Sequence, residues 1–449
     1  MTVKHFHLLL LFTIPLFTVS LVQADNEQER QFGDLLKAYH DMGTFSGNVL
    51  LARDDQVIFN EVTGKASYEL DVAHSGSGKF RIGPVSKVFT SVLVMQLVEE
   101  NEIALNDPVN KYIDNFPAGG QITIEHLLQH SSGIPDFEQF NDYPDFQKLQ
   151  TTPPELINRF LDLGIEFEPG SRFQQSASDY VVLGHILESV TNKSFEVLIR
   201  EKITNPLEMH NTGYDREDSL IPGRVSGYKI ENGRLRTGTH IDMSVPHAGG
   251  GLYSTTEDLH KFFLGLISEQ LITQENLQNL WEARKSGFGL GWMSDQKNGH
   301  KRTGHSGSIN GFAATFSFLP DEKMMVAILS NIENAPTSEM ADNFLSIMLE
   351  EDFSMPESTE QIELDAPAKL YTGTYQINSS RTLTITKEGD TYFAQVSGQP
   401  EFEIYPVAED RFLYTITDAS IDFEFDDQEQ VSKVILRHGG EKLIGTPAR

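Results

Sequence analysis

Hydrophobic and polar positions follow two different rhythms along this chain. Residues 27–42 carry apolar side chains at helical spacing, which predicts an amphipathic helix. The next stretch, FSGNVLLARDDQVIFNEVTGKA (45–66), predicts a strand, a turn at Asp54-Asp55 and a second strand. From Val85 to Glu100 the side chains are apolar nearly all round, as in a helix buried inside a domain. TIEHLLQHSSGIPDF (123–137) reads as a short helix stopped by Gly133 and Pro135, and 155–163 and 179–191 are further helical segments. GFAATFSFLPDEKMMVAILSN (311–331) alternates and turns at Pro320-Asp321, the pattern of an antiparallel hairpin.

The rhythm changes after residue 350. Residues 351–367 are acidic, proline-bearing and weakly periodic, as a linker is. Beyond them, short strands from LYTGTYQI to VSKVILRHGG follow at regular spacing with no helical pattern between. They predict a small all-β unit, barrel or sandwich, over 368–449.

The N-terminus adds a third pattern. Lys4 precedes a largely apolar run from Phe6 to Val22, and Val22-Gln23-Ala24 then meets Asp25. That is the form of an export signal over 1–24, so a periplasmic or secreted protein is expected. An uncleaved anchor is the alternative, and it supplies the one membrane contact expected. The formal charge is −30, from 65 acidic against 35 basic residues. Such a surface repels phosphate backbones and anionic headgroups, so nucleic acid and membrane-surface partners are disfavoured. With no cysteine, there is no disulfide, thiolate metal site or cysteine nucleophile. His126 and His130 stand four apart beside Glu125, but the spacing is not His-Glu-x-x-His, and no metal or cofactor is expected.

A set of segments in fixed order gives the chain a family resemblance: FSGNVLLA, FRIGPVSKVFTSV, LNDPVNKYI, TIEHLLQHSSGIPDF, YVVLGHILESVTNKSF, NPLEMHNTGY, AGGGLYSTTEDLHKF, GFGLGW and GHSGSINGF. Over about 32–350 it resembles the serine β-lactamase and penicillin-binding protein superfamily, in its branch of D-alanyl-D-peptidases, esterases and class C-like enzymes. The resemblance implies an α/β (α+β) domain over 25–350, with an antiparallel sheet flanked by helices and a cleft at the start of the 84–100 helix. The tail resembles the lipocalin-like β domain that sometimes follows this catalytic domain.

By that resemblance three elements carry the chemistry. A Ser-x-x-Lys at a helix start puts nucleophile and base on one face. A Tyr-x-Asn loop gives a proton-transfer group and an amide contact, and a Lys- or His-x-Gly strand closes the far wall and offers an oxyanion donor. Here Lys87 fills the lysine position and the nucleophile position is Pro84, which lacks both a hydroxyl and a backbone N–H. Ser86 lies about 200° round the helix from Pro84, and Ser91 is a turn beyond Lys87, so neither replaces it. PGSRFQQSASDYVVLG puts Gln175 at the tyrosine position and Ala177 at the asparagine position. A glutamine amide transfers no proton at neutral pH, and alanine makes no hydrogen bond to a substrate. His305, Ser306 and Gly307 survive, with Ser308 N–H the remaining oxyanion donor by resemblance.

Lys87 and His305 are therefore read as catalytic remnants, and Ala177, Ser306, Gly307 and Ser308 as the substrate-binding wall. Lys87 is expected to pair with a nearby polar or carboxylate group, and His305 to face the cleft from a strand. The expected function is binding of a peptide, muropeptide or β-lactam-like small molecule without acylation. The alternatives are a hydrolase of esters, D-amino-acid peptides or β-lactams with a rearranged nucleophile, and an interaction protein working through its β domain.

Overall fold

The computed structural model describes residues 17–231, 234–356, 362, 364, 367–378, 381–414, 419–426, 428, 430–438 and 441–448. Residues 1–16 of the expected signal, and 357–361, 363, 365 and 366 of the expected linker, lie outside the described residues. The chain divides into two compact units, Met1–Met355 and Pro356–Arg449.

In the first unit, helix α1 (Phe17–Asp41) leads into strands β1 (Gly47–Arg53) and β2 (Gln56–Thr63), with Asp54 in the left-handed turn between them. The helix is already present at Phe17, the first described residue and ten before the expected 27, because no glycine or proline interrupts residues 17–31. It buries Phe32, Leu35, Leu36 and Tyr39 on one face. The buried helix expected at 85–100 is α2 (Ser86–Glu99), entered through a 3₁₀ turn at Gly83–Val85. The helix expected within 123–137 is much shorter, Ile124–Leu128. Left-handed His130 ends it, and at left-handed Gly133 a Cβ would sit 2.2 Å from the Phe167 carbonyl oxygen. Helix α3 spans Ala177–Thr191.

Strands β3 (Met293–Lys297), β4 (His300–Ile309), β5 (Phe312–Leu319) and β6 (Met324–Ser330) complete an antiparallel sheet of order β3-β4-β5-β6-β1-β2, followed by helix α4 (Thr337–Met348). Its register pairs Leu50 with Ala327 and Val49 with Ile328. Alternation then sorts the side chains into two cores. Val49, Leu51, Val326 and Ile328 pack with α1 and α4, whereas Leu50, Ala52, Ala327 and Leu329 join the core around α2 and α3. Covered on both faces, β5 and β6 are buried throughout, which is why the 311–331 run is so apolar.

The second unit is a closed antiparallel barrel of eight strands, from Gly373–Asn378 to Glu441–Pro447. The tail pattern predicts seven of them. The eighth, EKLIGTP, carries a glycine and a proline, yet it pairs with both Val431–His438 and Gly373–Asn378 and so closes the ring. Tyr371, Leu383, Ile385, Phe412, Ile421 and Phe423 fill the interior. Among the described residues no helix is long and apolar enough to cross a membrane.

Candidate functional site

A cleft of about 830 Å³ opens where the start of α2, the start of α3 and strand β4 meet. It gathers the residues that the resemblance marks for the three elements: Pro84, Lys87, Gln175, Ala177, His305, Ser306, Gly307 and Ser308 all line it.

Pro84 sits in the 3₁₀ turn that starts α2, a place where proline's missing N–H and fixed φ cost the helix nothing. Before it, Gly83 is left-handed, and a Cβ there would crowd Ile309 at 3.0 Å. The Pro84 ring packs against β4 so closely that a Cβ on Gly307 would lie 2.5 Å from its Cγ. The ring thus fills the gap between the start of α2 and strand β4. Ser86 is fully buried and accepts the Leu252 N–H at 3.2 Å. Ser91 Oγ donates to the Val88 carbonyl and accepts the Trp292 indole N–H, both at 2.9 Å. Neither hydroxyl faces the cleft.

Lys87 departs from expectation. It is 4% exposed, yet no hydrogen bond or ion pair reaches it among the described residues. Its Nζ lies 5.5 Å from the centre of the Tyr180 ring instead. The carboxyls around it are otherwise engaged: Asp136 Oδ1 accepts the N–H groups of Ala177 at 3.1 Å and Glu138 at 3.2 Å. Desolvation brings the Lys87 ammonium down to about 8, with Glu138, Asp136 and Asp179 partly opposing. Glu138 also lines the cleft, where its carboxyl shares a hydrogen bond with Tyr143. Enclosure by the cleft, and then Asp136, push its carboxyl upward while Lys87 pulls it down.

His305 faces the cleft from β4, as expected. Its Nδ1–H donates to the Ser306 carbonyl at 2.9 Å, so Nε2 carries a lone pair; that atom is buried without a partner. Burial and then the Lys87 charge hold the ring down to about 3, so it is neutral.

Beneath the cleft is a cluster that the motif pattern did not single out. Asp179, fully buried on α3, accepts the Ser132 hydroxyl at 2.5 Å and lies 3.0 Å from His130 Nδ1. That nitrogen also lies 3.3 Å from the Ser176 N–H. Burial drives the pair in opposite directions, the carboxyl well above its usual range and the imidazole well below. An acidic residue directly before the apolar run YVVLGHIL, on the same helix, is the available signal. The two histidines of the 126–130 pair are separately committed, since His126 Nδ1 caps its own helix by accepting the Thr123 N–H. Tyr180 offers no substitute for the lost tyrosine, because its hydroxyl is buried and donates to the Leu128 carbonyl at 3.2 Å.

Comparison with known proteins adds five findings. The model of a family described as Beta-lactamase matches residues 30–347, and one described as a domain of unknown function matches 358–446. A penicillin-binding protein of Bacillus subtilis (strain 168) is 23% identical, covering 89% of this chain and 94% of its own length. The octameric penicillin-binding protein homologue from Pyrococcus abyssi superposes with a TM-score of 0.68 at 25% identity, over 92% of this chain and 99% of its own. The D-amino acid amidase from Ochrobactrum anthropi SV3, solved with L-phenylalanine, shares the fold at a TM-score of 0.66 and 20% identity, over 72% of this chain and 99% of its own.

Proposed function

Because the chain belongs to the beta-lactamase family, we propose that it keeps the family's cleft as a binding site and does not acylate. The observation that carries this reading is Pro84, which takes away the hydroxyl and one oxyanion N–H and fills the space before Gly307 with its ring. Losing a nucleophile costs roughly 10⁶ in rate in a comparable triad, and losing an oxyanion donor costs roughly 10²–10³. Gln175 and Ala177, at the mouth of the same cleft, remove the proton shuttle and the amide contact. The framework around these losses is intact.

The ligand is a peptide, muropeptide or β-lactam-like small molecule. The names of the relatives support that class: penicillin-binding proteins on one side, an amidase solved with an amino acid on the other. The N-terminal pattern supports export to the periplasm or beyond, where cell-wall peptides occur.

Intact-mass spectrometry after incubation with a fluorescent penicillin tests the first half. The expected result is an unchanged mass, and a stoichiometric adduct on any serine overturns it. Calorimetric titration with a muropeptide tests the second. Saturable binding that Gly307→Phe abolishes is expected; absence of binding by both proteins removes the ligand class.

A further inference from the structure

With proline at position 84, Lys87 has no side-chain hydrogen-bonding group three residues before it on its helix. It is nonetheless buried at the floor of an open cleft, unpaired among the described residues and lying over the Tyr180 ring. The ionisable groups that face it are Asp136 and Glu138 from the 136–139 turn, Asp179 and Tyr180 from α3, His130 from the loop before, and His305 from β4. Most of these are already engaged. Asp136 is tied to backbone N–H groups, Asp179 to Ser132 and His130, and Tyr180 to Leu128. The Glu138 carboxyl is exposed in the cleft, where it shares a hydrogen bond with Tyr143, and His305 Nε2 is buried beside it without a partner. A reactive amine and a carboxyl that exchanges protons therefore share one cavity.

We propose that Lys87 captures carbonyl compounds: the cleft admits a small neutral aldehyde, and Nζ adds to its carbonyl carbon to form an imine. This activity does not rest on the binding role above, since residue 84 takes no part in it. The walls select the class. Asp136, Glu138 and Glu333 disfavour anionic keto acids, while Phe173, Phe288 and Met293 offer apolar and aromatic surface.

The step balances without an oxidant or co-reactant. Neutral Nζ forms the C–N bond as the C=O π pair moves to oxygen; the nitrogen gives up a proton to the water of the cleft and that oxygen takes one from it, giving a carbinolamine. The Glu138 carboxyl then protonates the hydroxyl, the C–O bond breaks and water leaves as the nitrogen lone pair forms C=N. The iminium returns a proton to Glu138. One amine and one aldehyde give one imine and one water. Lys87 and Glu138 both line the cleft, and no ion pair joins them among the described residues.

Desolvation supports the chemistry by bringing Lys87 down to about 8. At pH 7 such an amine is about 10% neutral, against about 0.04% for a lysine with the ordinary value near 10.4, a ratio of about 200.

The test is reductive trapping of the full chain with benzaldehyde and cyanoborohydride, followed by peptide mapping. Lys87 is expected to label about 100-fold faster than the exposed lysines, with a rate that rises with pH to a midpoint near 8. Lys87→Arg, shown folded by circular dichroism, should lose the fast phase and keep the slow surface labelling. Glu138→Gln removes a charge that favours the ammonium, so its midpoint should move to lower pH. Labelling of Lys87 no faster than that of surface lysines, a midpoint near 10, or a fast phase that persists in Lys87→Arg overturns the proposal. A midpoint unmoved in Glu138→Gln overturns the part assigned to that carboxyl.

Discussion

The Pro84 ring and the Gly307 backbone are in such close contact that a Cβ on Gly307 would fall 2.5 Å from Pro84 Cγ and 2.9 Å from its Cβ. Gly307→Ala should therefore force the two walls of the cleft apart, at a cost of about 1–3 kcal/mol. In a Pro84→Ala background Cγ and Cδ are gone, and the same glycine substitution should cost measurably less. Urea unfolding of the four proteins gives the coupling energy. Strict additivity would mean that the contact is not tight.

Restoring the nucleophile is the second prediction. Pro84→Ser returns a hydroxyl, an N–H and the i, i+3 pairing with Lys87, and serine is accepted at a helix start. The single variant should acylate slowly with a penicillin, at least ~10²-fold faster than the parent. Adding Gln175→Tyr and Ala177→Asn should give faster acylation and turnover of a chromogenic β-lactam, because such groups act as a unit. A folded triple variant that does neither would show a cleft reshaped beyond these three positions.

Stability should fall in mild acid. His74, which hydrogen-bonds Ser46 and Asn331, is held down to about 4, and His305 to about 3, in both cases chiefly by desolvation. The unfolded chain, with histidines near 6.5, binds these protons where the folded protein does not. Stability is complete above 6.5 and drains away as pH falls. His130 and Asp179 shift in opposite senses and so act against each other. Between about pH 6 and 5 His74 and His305 together should contribute up to ~2.7 kcal/mol per pH unit. Glu138, whose carboxyl is pushed up to about 7 and takes its proton in the folded protein first, partly offsets this, and His305→Asn should reduce the net slope. Equal urea midpoints at pH 7 and pH 5 would refute the assignment.

The last strand should decide the barrel. Glu441–Pro447 pairs with a neighbour on each side, so deleting 441–449 leaves two strand edges bare. Calorimetry of the truncated chain should show the barrel transition lost and that of the larger unit retained. A truncated protein that keeps both transitions would show the barrel does not depend on closure.

Much of this protein is legible one residue at a time. Period-two and period-3.6 patterns place the 45–66 hairpin, the 311–331 hairpin and the buried helix after Pro84, because local spacing alone sets which side chains share a face. The absent hydroxyl at 84, the glutamine at 175 and the alanine at 177 are chemical facts of the chain, and no fold restores them. Other features exist only once distant segments meet. EKLIGTP becomes a strand because two partners bond it, which its own glycine and proline do not foretell. The Asp179 carboxyl is pushed well above its usual range because burial beside His130 and Ser132, 49 and 47 residues away in the chain, takes it out of reach of water. Lys87 looked in sequence like half of an ion pair, and the structure leaves it unpaired among the described residues with its charge desolvated. Sequence determined which groups are present; the dielectric around each, and the partner within reach, came from tertiary packing, since both depend on distances that the order of residues does not contain.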